Sequence, residues 1–66
     1  MRKLTKLKLE LWLRGQTQRE LAERSGLNES VISLILNGRY LPDSIQRARI
    51  ADALQKPERE IFSELG

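Results

Sequence analysis

The sequence has no cysteine and no histidine among its 66 residues. Without cysteine, the chain can form neither a disulfide nor a thiolate metal site. Without histidine, it has no imidazole for acid–base catalysis and lacks a ligand that most zinc sites use. We therefore expect the protein to need no metal and no cofactor.

Long apolar runs are also absent. No stretch approaches the roughly 20 residues that a helix needs to cross a bilayer, and no signal-peptide pattern is present. We expect a soluble, cytoplasmic protein without a membrane partner. A domain of this size is too small to enclose a catalytic cleft between carboxylates, so neither an enzyme nor a small-molecule substrate is expected.

The charge of the chain is modest but unevenly distributed. Twelve basic and nine acidic residues give a formal net charge of +3. Basic residues crowd the N-terminus and the stretch after residue 38, whereas the C-terminal tail is acidic. This asymmetry suits phosphate contact on one side of the molecule, although an ordinary solvated surface would look similar.

The stretch 18–38 predicts two short helices joined by a tight turn. Thr17 and Glu20 have the spacing of a capping box, in which each side chain satisfies a backbone N–H of the first helical turn. Ala22 is small enough to let another helix cross closely. Gly26 suits a helix end that requires a positive φ.

The second helix of this stretch is predicted to start at Asn28, a favoured N-cap residue, and to end at Gly38. At about 100° per residue, its apolar and polar residues separate onto two sides of the helix. The apolar side holds Val31, Ile32, Ile35 and Leu36, and the opposite side holds Glu29, Ser30, Ser33, Leu34 and Asn37. The helix is therefore expected to be anchored on one side and free on the other.

Residues at the key positions of this stretch resemble the helix-turn-helix of the phage repressor and Cro-like family of DNA-binding proteins. They are Gln18, Leu21, Ala22, Gly26, Ile32, Ser33, Asn37 and Gly38, with Thr17 ahead of them. The resemblance implies an all-α domain of four to five helices with the lambda-repressor-like fold and a helix-turn-helix at about 18–37. The plainer alternative is a helical hairpin with a glycine turn.

The N-terminal segment fits two patterns. Leu4, Leu7 and Leu11 lie at helical spacing, yet apolar and polar residues also alternate from Leu7 to Leu13 as in a strand. Leucine, lysine and glutamate are good helix formers, and β-branched residues are nearly absent. We predict a helix over about 3–14 that leaves Leu9 and Leu13 exposed, either as scattered surface leucines or as a self-association surface.

One feature departs from the family pattern. The family places an arginine four residues before the glycine matched by Gly15, and pairs it with a glutamate just before the Asn-Gly. This chain has Leu11 and Leu36 at those positions. Because apolar groups often replace a buried ion pair without loss of stability, we predict that Leu11 and Leu36 touch.

The rest of the chain predicts two more helices. Pro42 prevents continuation of the motif helix, and Asp43 or Ser44 can cap the next helix, which we place at about 44–54. Pro57 suits the start of a last helix. The inward residues are Ile50, Ala51 and Leu54 in the fourth helix and Ile61, Phe62 and Leu65 in the last. We expect residues 1–66 to form a single helix-turn-helix domain.

The resemblance implies that Gln18 hydrogen-bonds a DNA phosphate. The other expected phosphate contacts are Thr17, Asn28, Asn37 and Arg39, with further charge from Lys6, Lys8 or Arg14. Helix N-termini add to this attraction for anions. Tyr40 is expected either to pack in the domain or to reach a phosphate with its hydroxyl.

Bases would be contacted by Glu29, Ser30, Ser33 and Leu34. Serine can donate to or accept from base edges, leucine can pack against a thymine methyl, and glutamate can accept from a cytosine amino group. Glu29 has an equally good structural role in stabilising the helix N-terminus. No arginine, asparagine or glutamine lies centrally on this face, so DNA shape is expected to carry part of the selectivity.

The resemblance and the features of the motif together imply a small repressor-type regulator that binds double-stranded DNA as a homodimer. The same resemblance implies a protein of bacterial or phage type, associated with the nucleoid. An antitoxin or a phage recombination accessory factor would have the same chemistry. A helical protein-interaction module without DNA binding is the alternative of another class, and the exposed leucines support it.

Overall fold

The structure is a computed structural model that describes residues 4–63, with the side chain of Thr5 excepted. Five α-helices and no strand occur in this range. The helices are α1 (Thr5–Arg14), α2 (Gln18–Ser25), α3 (Glu29–Leu36), α4 (Ser44–Leu54) and α5 (Glu58–Ile61). The prediction of an all-α, four- to five-helix fold is confirmed. No helix among these residues is long and apolar enough to cross a bilayer.

The N-terminal segment is helical rather than extended. Leu4, Leu7 and Leu11 are all buried, whereas Leu9 and Leu13 are exposed, as the helical reading predicts. A strand would have put Leu7, Leu9 and Leu11 on the same side. The predicted start near residue 3 lies outside the described residues.

Side chains cap three of the helices. The Thr17 hydroxyl accepts from the Glu20 N–H at 3.1 Å, and the Glu20 carboxylate accepts from the Thr17 N–H at 2.9 Å, which completes the predicted capping box. Asn28 caps α3 as predicted. Of the two candidates for α4, Asp43 is the N-cap and forms a second capping box with Gln46.

The core is one cluster of apolar side chains to which every helix contributes. Leu7, Leu21, Ile32, Ile50 and Leu54 are completely buried. Burial of each such side chain contributes roughly 1.5–3 kcal/mol. Helix α2 packs between α3 and α4, while α1 packs on α3 and α5. The core therefore holds α2 and α3, the two helices of the predicted motif, against each other.

Leu11 and Leu36 both lie in this core, at exposures of 5% and 1%. The Leu4 N–H also donates to the Leu36 carbonyl at 3.3 Å, which ties the start of α1 to the end of α3. Direct contact between the Leu11 and Leu36 side chains stays a prediction.

The last helix closes the core. Ile61 and Phe62 are buried as predicted, and Pro57 precedes the first turn. Leu65, the third expected apolar residue, lies outside the described residues.

Candidate nucleic-acid interface

Helix α3 is anchored on one side and open on the other. Ile32, Ile35 and Leu36 are buried, and Val31 is half-buried against the core. We define the α3 outer face as the four residues expected to contact bases, Glu29, Ser30, Ser33 and Leu34. Glu29, Ser30 and Leu34 are exposed, and Ser33 is half-buried. Three of its four residues are therefore open to solvent within the described chain.

The N-terminus of α2 carries the first two expected phosphate contacts. The Thr17 hydroxyl oxygen accepts the Glu20 N–H, which leaves the hydroxyl proton available for donation. Gln18 is half-buried, and its amide makes no hydrogen bond to the described residues. Both side chains can therefore donate to an anion at the start of the helix.

The two polar atoms of the Asn28 amide have different roles at the start of α3. Its Oδ1 accepts from the Ser30 N–H at 3.0 Å and from the Ser30 hydroxyl at 2.8 Å. Its Nδ2 is not needed for capping and can still donate to a phosphate. Because the Ser30 hydroxyl donates its proton to Asn28, its oxygen can act only as an acceptor toward an external donor.

Asn37 at the end of α3 is engaged within the chain. Its Nδ2 donates to the Ser33 carbonyl at 2.9 Å, and its Oδ1 accepts from the Lys8 ammonium at 3.4 Å. The cation next to this helix end is therefore Lys8, supplied by α1. Arg39 follows after the turn and is exposed, with its backbone N–H bound to the Leu34 carbonyl.

Two other basic residues considered for phosphate contact are engaged away from α3. Arg14 pairs with Glu10 at 2.8 Å and also donates to the Leu54 carbonyl. Lys6 donates to the Ser63 hydroxyl at 2.7 Å. Lys8, by contrast, is hydrogen-bonded to the motif through Asn37.

Tyr40 lies just beyond the turn at 39% exposure. Its hydroxyl makes no hydrogen bond to the described residues, so it is accessible to an external acceptor.

Sequence reasoning missed an ion pair at the edge of the α3 outer face. Arg19 Nε lies 3.8 Å from Glu29 Oε1 and joins the first turn of α2 to the first residue of α3. The two residues belong to different helices, so helical spacing could not reveal the pair. Because the side chains are 76% and 52% exposed, the pair adds little to the stability of the free protein.

Comparison with known proteins agrees with this geometry. A model of the helix-turn-helix family matches residues 6–61. No curated protein and no solved structure matches the chain. The family match covers most of the sequence and includes both motif helices with the elements that pack behind them. The chain belongs to the Cro/C1-type helix-turn-helix family, a DNA-binding regulatory family.

Proposed function

We propose that the protein is a sequence-specific transcriptional regulator of the small repressor type, which inserts α3 into the major groove. The observation that carries the proposal is the two-sided environment of α3. Its aliphatic side is buried, and its outer face, from Glu29 to Leu34, is exposed except for the half-buried Ser33. A helix presented in this way fits the major groove of B-DNA.

Phosphate contacts fix the position of such a helix without reading sequence. The groups that support this role are the Thr17 hydroxyl, the Gln18 amide, the Asn28 Nδ2 and the side chain of Arg39. We assign Asn37 an indirect part, because its amide holds Lys8 beside the end of α3. Lys8 is then the phosphate-facing cation at this position.

Base contacts would come from the α3 outer face. Leu34, at 42% exposure, can pack against a thymine methyl. Ser33 is half-buried, and its hydroxyl would be the group that contacts a base. Since the face lacks a bidentate arginine, asparagine or glutamine, base discrimination is modest and DNA deformability supplements it.

We infer that the protein binds as a homodimer, and the size of the domain supports this. The longest dimension of the chain is 25 Å, whereas half-sites one helical turn apart are separated by about 34 Å. One copy can therefore occupy only one half-site. Two copies on a near-palindromic site would double the contacts.

A salt titration by fluorescence anisotropy tests the proposal. For wild-type protein on duplex DNA, we expect log K to fall linearly with log salt, by about 0.9 per phosphate contact. The Gln18→Ala/Ser33→Ala variant removes one phosphate and one base contact, and we expect at least a tenfold loss of affinity. Ser63→Ala is the matched control, since Ser63 bonds Lys6 away from α3. Binding that ignores salt would contradict the proposal.

A protein-interaction module is the second candidate, because α1 exposes an apolar surface. Leu9, Trp12 and Leu13 are 52%, 76% and 65% exposed. Unchanged DNA affinity in the Gln18→Ala/Ser33→Ala variant would favour this candidate. An antitoxin or recombination accessory factor shares the DNA chemistry of the first proposal, so identification of the partner protein, not DNA binding, would separate them from a repressor.

A further inference from the structure

We propose that Arg19 determines base specificity by positioning Glu29, so that the Arg19–Glu29 pair reads a cytosine as a unit. The inference rests on the proposed DNA-binding function and extends it to a residue that lies outside the α3 outer face. Arg19 Nε is 3.8 Å from Glu29 Oε1, across the junction between the two motif helices.

Glu29 needs a compensating charge to face DNA. A carboxylate in the major groove is flanked by two phosphate strands, which repel it. The neighbours of Glu29 in the chain, Asn28 and Ser30, are neutral. Within residues 4–63, Arg19 is the only ion-pair partner of Glu29. Without Arg19, the carboxylate would weaken binding to every duplex.

The geometry of the pair leaves both partners with free groups. Arg19 approaches through Nε, so its two terminal nitrogens can still donate to a phosphate. Glu29 is approached at Oε1, so Oε2 can still accept from a base. The arginine can therefore bridge the carboxylate and the DNA backbone, while the glutamate reaches into the groove.

The acceptor character of Glu29 selects the base. An ionised carboxylate can only accept hydrogen bonds, and the cytosine N4 amino group is its usual partner in the major groove. Ser30 beside it also presents an acceptor, because its proton is directed to Asn28 Oδ1 at 2.8 Å. Two adjacent acceptors favour cytosine over adenine, because adenine presents the N7 acceptor beside its amino group.

A thermodynamic cycle tests the pair. The binding site is first selected from a random DNA pool with wild-type protein. Affinities of wild type, Arg19→Gln, Glu29→Gln and the double variant are then measured on that site and on the site with the read cytosine changed to thymine. We expect wild type to prefer cytosine about tenfold, since a good base contact contributes roughly that discrimination or more.

The variants should differ in whether they lose affinity, cytosine preference or both. Arg19→Gln should lose about tenfold in affinity and most of the cytosine preference. Glu29→Gln should lose the preference but bind unselected DNA at least as tightly as wild type, because a repelled charge is gone. In the Glu29→Gln background, the Arg19→Gln loss should shrink to about threefold. Arg19→Lys should restore affinity more than preference, because ammonium lacks the planar fork of guanidinium.

Arg24→Gln provides the charge-matched control. It removes one positive charge from an exposed position of α2 that is not paired with Glu29. It should leave the cytosine preference unchanged. Melting temperatures of all variants should stay near wild type, since both members of the pair are exposed.

Two results would overturn the inference while the proposed function survives. One is an equal Arg19→Gln loss with and without Glu29, which would make Arg19 an independent phosphate contact. The other is a selected site whose base preferences do not change in either single variant. If wild-type protein shows no salt-dependent DNA binding at all, the proposed function fails, and the inference fails with it.

Discussion

At the scale of single residues, the turn of the motif depends on Gly26. Its φ is +73°, a left-handed conformation that side chains disfavour. A Cβ at this position would also lie 3.2 Å from an Arg49 guanidinium nitrogen. The guanidinium is the end of a flexible side chain and can move, so backbone conformation is the main reason for glycine.

Gly26→Ala should therefore lower the free energy of unfolding by about 1 kcal/mol, measured by urea denaturation. Gly15→Ala is the matched comparison, because Gly15 has a φ of +65° and no neighbouring atom within 4 Å of the added Cβ. The two losses should agree within about 0.5 kcal/mol. A much larger loss at Gly26 would mean that Arg49 cannot move aside.

At the scale of elements, helix starts follow from local sequence. Thr17 with Glu20, and Asn28 alone, specify the beginnings of α2 and α3 because capping bonds connect residues only two or three apart. The buried side of α3 also follows from local sequence, because helical periodicity determines which residues lie on the same side. These features could be predicted from sequence, and the resemblance gave the all-α architecture of four to five helices.

Contacts between helices could not be predicted in this way. The Arg19–Glu29 pair and the hydrogen bond from Lys8 to Asn37 depend on the angle and separation of two packed helices. Sequence spacing carries no information on that geometry. For the same reason, sequence could not show that Arg14 donates to the Leu54 carbonyl at the end of α4. Its pairing with Glu10, four residues earlier in α1, does follow from helical spacing.

The contact between α1 and α3 gives a test at this scale. We expect Leu11→Ala and Leu36→Ala each to cost about 2–5 kcal/mol, because both side chains are buried. The double variant should be less unstable than the sum of the two, with a coupling of at least about 0.5 kcal/mol. Urea denaturation of the four proteins provides the cycle. Strict additivity would mean that the two leucines do not touch.

At the scale of the whole molecule, the domain is small relative to its proposed target. A chain with a longest dimension of 25 Å would cover about one half-site, so the proposed binding to a near-palindromic site would use two copies in a fixed geometry. The mutual arrangement of the copies then matters as much as the contacts that each one makes.

Inserting five base pairs between the half-sites should reduce affinity by more than tenfold, because it places the two half-sites on opposite sides of the duplex. Insertion of the same five base pairs outside the site is the control and should have no effect. Electrophoretic mobility of the complexes would show whether one or two copies are bound. Equal affinity for both insertions would indicate that single copies bind independently.

The outward position of Trp12 also provides an intrinsic optical signal. It is the only tryptophan in the chain, and it is 76% exposed. Its emission in the isolated folded protein should therefore resemble that of indole in water and change little on denaturation. A shift to shorter wavelength with rising protein concentration would report that the outer side of α1 has become covered by another molecule.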